Sequence, residues 1–270
     1  MNSFIPSPGF DARRFKGTTL ILPSVSIGNV PQLTTDLLLS TLKLDRVGCI
    51  EDENVVPVLG AADRPHSKPT TIATAGTGIT GVSGGGLLSL AVEVFQSKDG
   101  KWTLIQQRSP TVSHRSHHYA DNLVRFIQDS EFDQVVLLAS ADGARRIDIQ
   151  LRSGNPDIQL DDPSLTSSSS TTTTSAQKTL EKVPRIPNGG FARRLHSLCQ
   201  ESGIAILTVV AFAMEGDNAP DAIFLANVLN AILRVHNPTE QQVRDGEGEW
   251  KVPKSWDSLY GNSHHQDMYQ

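Results

Sequence analysis

Gly76-Thr77-Gly78-Ile79-Thr80-Gly81 satisfies the G-x-G-x-x-G pattern, whose glycines let a backbone wrap a pyrophosphate where a strand passes into a helix. That chemistry needs a helix opening at the end of the pattern. Gly84-Gly85-Gly86 follows instead, and three glycines cost a helix about 3 kcal/mol relative to alanine. The segment therefore reads as a loop. His114, His117 and His118 fall within five residues, and His264-His265 lie near the end; imidazoles so grouped could hold a metal. No glutamate sits between a helically spaced pair of them, so they read as polar loop histidines with no metal. Glu215, Asp217 and Asp221 follow an apolar run, the place where α/β enzymes keep their acids. The same residues serve equally well to start a helix: Asp217 or Asn218 as cap, Pro220 in the first turn, Asp221 against the dipole. Ser24 to Asn29 could offer hydroxyls or amides to an anion, but there is no G-x-S-x-G elbow for a serine nucleophile. The last grouping is Met268-Tyr269-Gln270, an apolar side chain, a phenol and a terminal carboxylate that together could plug a groove carrying a lysine. No catalytic residue and no cofactor emerge from these patterns.

The elements that would carry these groups alternate. Thr18 to Pro23 is an apolar run closed by proline, and a helix with Asn29 as cap and Leu33, Leu37, Leu38 and Leu42 at helical spacing follows it. Arg46 to Ile50 and Val55 to Leu59 read as strands on either side of the turn Glu51-Asp52-Glu53, and residues 60 to 86 as a long loop. Leu87 to Gln96 and Trp102 to Arg108 form an antiparallel hairpin about Asp99-Gly100. Ser116 to Gln128 is an amphipathic helix, Gln134 to Ala139 a strand apolar on both faces, Gly190 to Glu201 a helix, Ala205 to Phe212 a second apolar strand and Ala219 to Val235 a helix. This order predicts an α/β fold, a three-layer sandwich with a mostly parallel central sheet. The expected organisation is one domain over residues 1–270, with a disordered Ser/Thr-rich insertion at 160–182 and a flexible tail at 257–270. Between Ser164 and Ser175 every residue but Leu165 is Ser or Thr, too little apolar surface to offset the entropy of ordering.

Composition narrows the partners. Hydrophobic residues are 38% of the 270 and charged residues 20%, which suits a folded core diluted by polar loops. Lys and Arg number 24 against 29 Asp and Glu, a net charge of -5 without a basic block, which argues against nucleic acid. No apolar run spans a bilayer and residues 1–10 lack the marks of a signal peptide, so the expectation is a cytoplasmic, or also nuclear, protein away from membranes. Cys49 and Cys199, 150 positions apart among apolar neighbours, are expected to be buried, reduced thiols.

Several blocks in order carry a resemblance: Leu20-Ile-Leu-Pro-Ser-Val-Ser-Ile-Gly-Asn-Val30 with Gln32-Leu33 and Asp36 to Leu42, Asp148 to Ser153, Arg185 to Gly190, Glu215 to Ala222, and Trp250 to Trp256. Across most of its length the chain resembles the eukaryotic proteasome assembly chaperone two family. The resemblance implies a fold like that of nucleoside phosphorylases without their active site, and a non-enzymatic chaperone that pairs with proteasome assembly chaperone one. It also implies binding of that heterodimer to the outer face of the proteasome α-subunit ring. Members, notably fungal ones, can end in a hydrophobic-tyrosine-any tail that enters pockets between α subunits, and Met268, Tyr269 and Gln270 match it residue by residue. In the third block the family often has three glycines, where this chain has Asn188-Gly189-Gly190. The alternative reading is a nucleoside- or phosphate-handling enzyme of the same fold class, using Gly76 to Gly81 with Asp217 or Asp221.

Overall fold

The structure, a computed structural model, describes residues 4–62, 88–145, 158–161, 190–239, 244 and 248–258. Its strands are β1 (Phe4–Pro6), β2 (Thr19–Pro23), β3 (Asp45–Ile50), β4 (Leu59–Ala61), β5 (Leu88–Leu90), β6 (Val92–Gln96), β7 (Trp102–Gln107), β8 (Gln134–Asp142), β9 (Ile158–Asp161) and β10 (Ile206–Ala213). Its helices are α1 (Val30–Leu42), α2 (Ser116–Asp129), α3 (Gly190–Glu201) and α4 (Ala219–Leu233). Eight strands form one sheet in the order β1-β3-β6-β7-β2-β8-β10-β9, and β4 and β5 pair as a separate ribbon.

Strand direction divides this sheet. β7, β2, β8 and β10 run parallel at its centre, while β9 on one flank and β6, β3 and β1 on the other join antiparallel. The parallel centre is the expected one; the antiparallel flanks make the whole a mixed sheet. β8 and β10 are buried along nearly their full length, because helices cover both faces. Alternation assigns side chains to the two layers. Leu20, Leu22, Val135, Leu137, Ile206 and Val210 pack with α2 and α3, whereas Ile21, Val136, Leu138, Leu207 and Val209 pack with α1 and α4. Each such side chain contributes roughly 1.5–3 kcal/mol on burial, so the two interfaces supply most of what orders the helices. Phe4, Phe10, Phe15, Phe126 and Phe132 close the β1 edge as one aromatic cluster.

The β6–β7 hairpin turns at Gly100, whose φ is 71°, with Asp99 Oδ1 accepting from Lys101 N at 3.1 Å. Two sequence expectations are corrected. Val55 to Leu59 is not a strand: Pro57 lacks an N–H, and only Val55 forms a bridge, to Thr111, before β4 begins at Leu59. Leu87 to Gln96 is not continuous either, since the chain bends at Ala91 and β5 leaves the main sheet to pair with β4. Of the loop expected at 60–86, Gly60 and Ala61 belong to β4 and residues 63–86 lie outside the described residues; of the insertion expected at 160–182, Leu160 and Asp161 close β9 and the rest lies outside them.

Candidate functional site

In an α/β sheet, ligands meet the carboxyl ends of parallel strands. Here the ends of β2, β8 and β10 bring together Ser24 to Asn29, Ser140 to Gly143 and Met214 to Asp221. The first segment leaves β2 with Ser24 N bonded to Leu138 O at 2.7 Å. Ser26 Oγ donates to Ser24 O at 2.9 Å and accepts from Ser140 N at 3.0 Å. Ser140 Oγ lies 2.9 Å from Ser26 Oγ and 2.5 Å from the Ile27 carbonyl. These hydroxyls are spent on fixing backbone, so they are poorly placed to act as nucleophiles.

Gly28 then adopts φ 66° directly beneath Asn218, and a Cβ at position 28 would stand 2.6–2.9 Å from the Asn218 amide. Asn218 is buried and donates to Gly216 O at 2.9 Å. The block opening at Leu20 and the block opening at Glu215 are therefore locked into each other. Asn29 was expected to cap α1 but has φ 51° and makes no side-chain cap, because its left-handed backbone does not take the extended form of an N-cap. Asp217 Oδ1 accepts from Ala219 N at 3.1 Å, Pro220 lies in the first turn and Asp221 follows, so this acidic stretch starts α4 as a helix should.

The histidines gather elsewhere. His114, Arg115 and His118, with Glu53, Asn54 and Asn122, line a polar cavity of about 350 Å³ at the start of α2. Arg115 stands 3.6 Å from Glu53, and Asp52 accepts from Asn54 N, Asn54 Nδ2 and Asn122 Nδ2. The His117 and His118 rings lie with centres 3.9 Å apart and their planes tilted by 42°. Among the described residues, no three His, Cys, Asp or Glu side chains converge on a metal position. Cys199 is buried and Cys49 half-buried; burial raises both thiols, Cys199 to about 12, which keeps them protonated.

A charged cluster went unread in the sequence. Glu93 of β6 is buried between Arg46 at 3.0 Å and Arg108 at 3.7 Å, and Arg108 also meets Asp36 of α1 at 3.0 Å. Gln106 Nε2 donates to Asp36 Oδ1 and Gln32 O, and Thr35 Oγ1 donates to Gln106 Oε1 at 2.6 Å. Arg46 reaches on to Leu88 O at 2.9 Å. The cluster ties α1 to the sheet and the sheet to β5. Strand alternation alone marks Glu93 and Arg108 as solvent-facing; the informative signal was their sharing a face with Arg46 and with the polar residues of α1.

The tail residues Met268, Tyr269 and Gln270 lie outside the described residues, but the segment leading to them is well placed. Trp250 Nε1 donates to Asn227 Oδ1 at 2.7 Å, Lys251 N donates to Thr41 Oγ1 at 2.9 Å, and Trp250 and Trp256 pack against Leu33, Leu37, Ala222 and Ala226. This segment straps α1 to α4.

A model of the PAC2 family matches residues 20–251. Proteasome assembly chaperone 2 of Danio rerio is 33% identical over 95% of this chain and 96% of its own length. The Homo sapiens protein of that name is 30% identical over 96% and 97%. Among solved structures, an archaeal homolog of proteasome-assembly chaperone from Pyrococcus furiosus superposes with a TM-score of 0.56 at 13% identity, over 86% of this chain and 88% of its own, a likeness of fold. Matched by the family's model through both interlocked blocks as far as residue 251, and by relatives aligned along nearly its whole length, the chain belongs to the PAC2 family.

Proposed function

We infer that this chain is a chaperone of proteasome assembly without catalytic activity of its own. The observation that carries this reading is the alignment, at 30–33% identity and end to end, with relatives named proteasome assembly chaperone 2. The strand ends agree with it: the seryl hydroxyls of Ser26 and Ser140 fix backbone, and Asp217 accepts from Ala219 N at the start of a helix, where an enzyme of this architecture would bind substrate. In this reading the partner is a homologous α/β subunit, proteasome assembly chaperone one, and the heterodimer sits on the outer face of the α-subunit ring. Met268, Tyr269 and Gln270 enter a pocket between α subunits, with the strap at Trp250 to Trp256 holding the root of the segment on α1 and α4. From Tyr260 a fully extended chain can reach at most roughly 35–40 Å, far enough to leave the domain and enter a ring below it.

Affinity purification of the tagged full chain from cells, followed by mass spectrometry, tests the reading. Recovery of a homologous chaperone subunit together with α subunits supports it, and absence of both overturns it. A thermal-shift panel of nucleosides, nucleotides and phosphate addresses the enzyme alternative, since a ligand at a hundredfold excess over its Kd would stabilise the chain by about 2.7 kcal/mol.

A further inference from the structure

The outer helices differ in what they show to solvent. Exposed positions of α2 include His117, His118, Arg125 and Asp129, and those of α3 include Arg193, Arg194 and Glu201. On α4 the exposed positions are Pro220, Phe224, Asn227, Ala231 and Ile232, and no residue from Ala222 to Leu233 carries a charge. A surface helix ordinarily sets a polar face against its apolar stripe, and one that is apolar all round is a buried helix. Ala222, Leu225, Ala226 and Leu229 already supply the face that packs inward. The outward face is thus mostly apolar, with Phe224, Ala231 and Ile232 exposed, while Val228 packs partly on the core and Asn227 holds Trp250 of the strap.

That face is a single ridge. Pro220, Phe224, Val228 and Ile232 stand four residues apart, an i±4 row about 18 Å long of the kind that packs into another helix. Its two ends differ in sign: Glu215 and Asp217 are exposed ahead of the helix, and Arg234 is exposed at its close. A ridge acidic at one end and basic at the other is complementary to itself when turned end for end.

We propose that a second copy of this chain docks on α4 through the same ridge, antiparallel about a two-fold axis level with Ala226. The axis falls at the midpoint of the row. Phe224 of each copy then meets Val228 of the other, and Pro220 meets Ile232. Arg234 of one copy comes level with Asn218 of the other, beside Asp217, so the basic end meets the acidic end twice. This is an isologous contact, in which one patch serves both subunits and the interface closes at two copies. It concerns the chain in the absence of any other subunit and does not rest on the proteasome reading.

Sedimentation equilibrium of the purified full chain at micromolar concentrations tests it, with circular dichroism confirming that each variant is folded. The wild type forms a dimer. Phe224→Glu places a carboxylate at the centre of the contact and raises the dimer Kd about a hundredfold or more. Arg234→Glu alone raises it about fivefold by setting like charges together, and the double variant Asp217→Arg/Arg234→Glu returns it to within about twofold of wild type. A purely structural defect would not be repaired by the swap. A wild-type chain that stays monomeric overturns the proposal and leaves the ridge to a different protein; so does a dimer that Phe224→Glu leaves intact or that the charge swap fails to restore.

Discussion

Gly28→Ala tests the interlock at the strand ends. Gly28 has φ 66°, a conformation that costs an L-residue roughly 1–2 kcal/mol. A methyl group there would lie 2.6 Å from Asn218 Nδ2 and 2.7 Å from its Cγ. Asn218 cannot simply swing away, because it is buried and its Nδ2 is bonded to Gly216 O. Overpacking of this sort adds about 1–3 kcal/mol, so the substitution should destabilise the chain by about 2–5 kcal/mol in all. Asn218→Ala alone should cost about 1 kcal/mol for its lost hydrogen bond. In the Asn218→Ala background the methyl has room, and Gly28→Ala should then cost only the backbone part, about 1–2 kcal/mol. Urea unfolding followed by circular dichroism and tryptophan fluorescence on the four chains of the cycle measures the coupling. Strict additivity of the two substitutions would refute the interlock and leave only the backbone argument standing.

Further expectations follow from the same structure. Glu93→Ala strands two arginines around an emptied, largely buried site and should cost about 3 kcal/mol in chemical unfolding, whereas Arg108→Ala should cost less because Arg46 still holds Glu93. His196 is buried with Nδ1 2.8 Å from Thr208 Oγ1, and burial lowers its pKa below the ordinary 6.5. Its neutral form is the one that fits, so this contribution to stability is complete above 6.5 and falls away as the pH drops through the lowered value. A thermal-unfolding series should show wild type losing more stability than His196→Gln between neutral and mildly acidic pH, and parallel losses would contradict it. Deleting Ser164 to Ser175 should leave the unfolding midpoint within about 0.6 kcal/mol of wild type, since loop length enters closure entropy only logarithmically.

The legible parts of this fold were those with a long pattern. Val135 to Ala139 and Ile206 to Phe212 could be read as buried strands, and Leu33, Leu37 and Leu38 as a helix face, because apolar residues recur there at one period over many positions. β1 and β9, of three and four residues, are too short to show a period. Pro57 ended a strand that Val55, Val56 and Val58 suggested. Sheet direction was half legible: β7, β2, β8 and β10 came out parallel, whereas the hairpin strand β6 joins antiparallel and so does β9, although α3 lies between it and β10 in sequence. At the strand ends the residues themselves were visible, but their interlock was not, because it joins position 28 to position 218. Glu93 escaped notice for a related reason, since its partners Arg46 and Arg108 come from neighbouring strands. The family resemblance read from the ordered blocks is borne out by the family model and the aligned relatives.

The central claim is an assembly role at the α ring, and the most direct measurement is binding of the chain, reconstituted with its partner chaperone, to purified proteasome core particles. Analytical ultracentrifugation with a labelled chain should show saturable association at the ring faces. Tyr269→Ala should weaken it, Tyr269→Phe should fall between, and the losses should be partial because a folded surface and a second subunit also contact the ring. No association of the wild-type heterodimer with core particles or α subunits at any concentration tested would contradict the account.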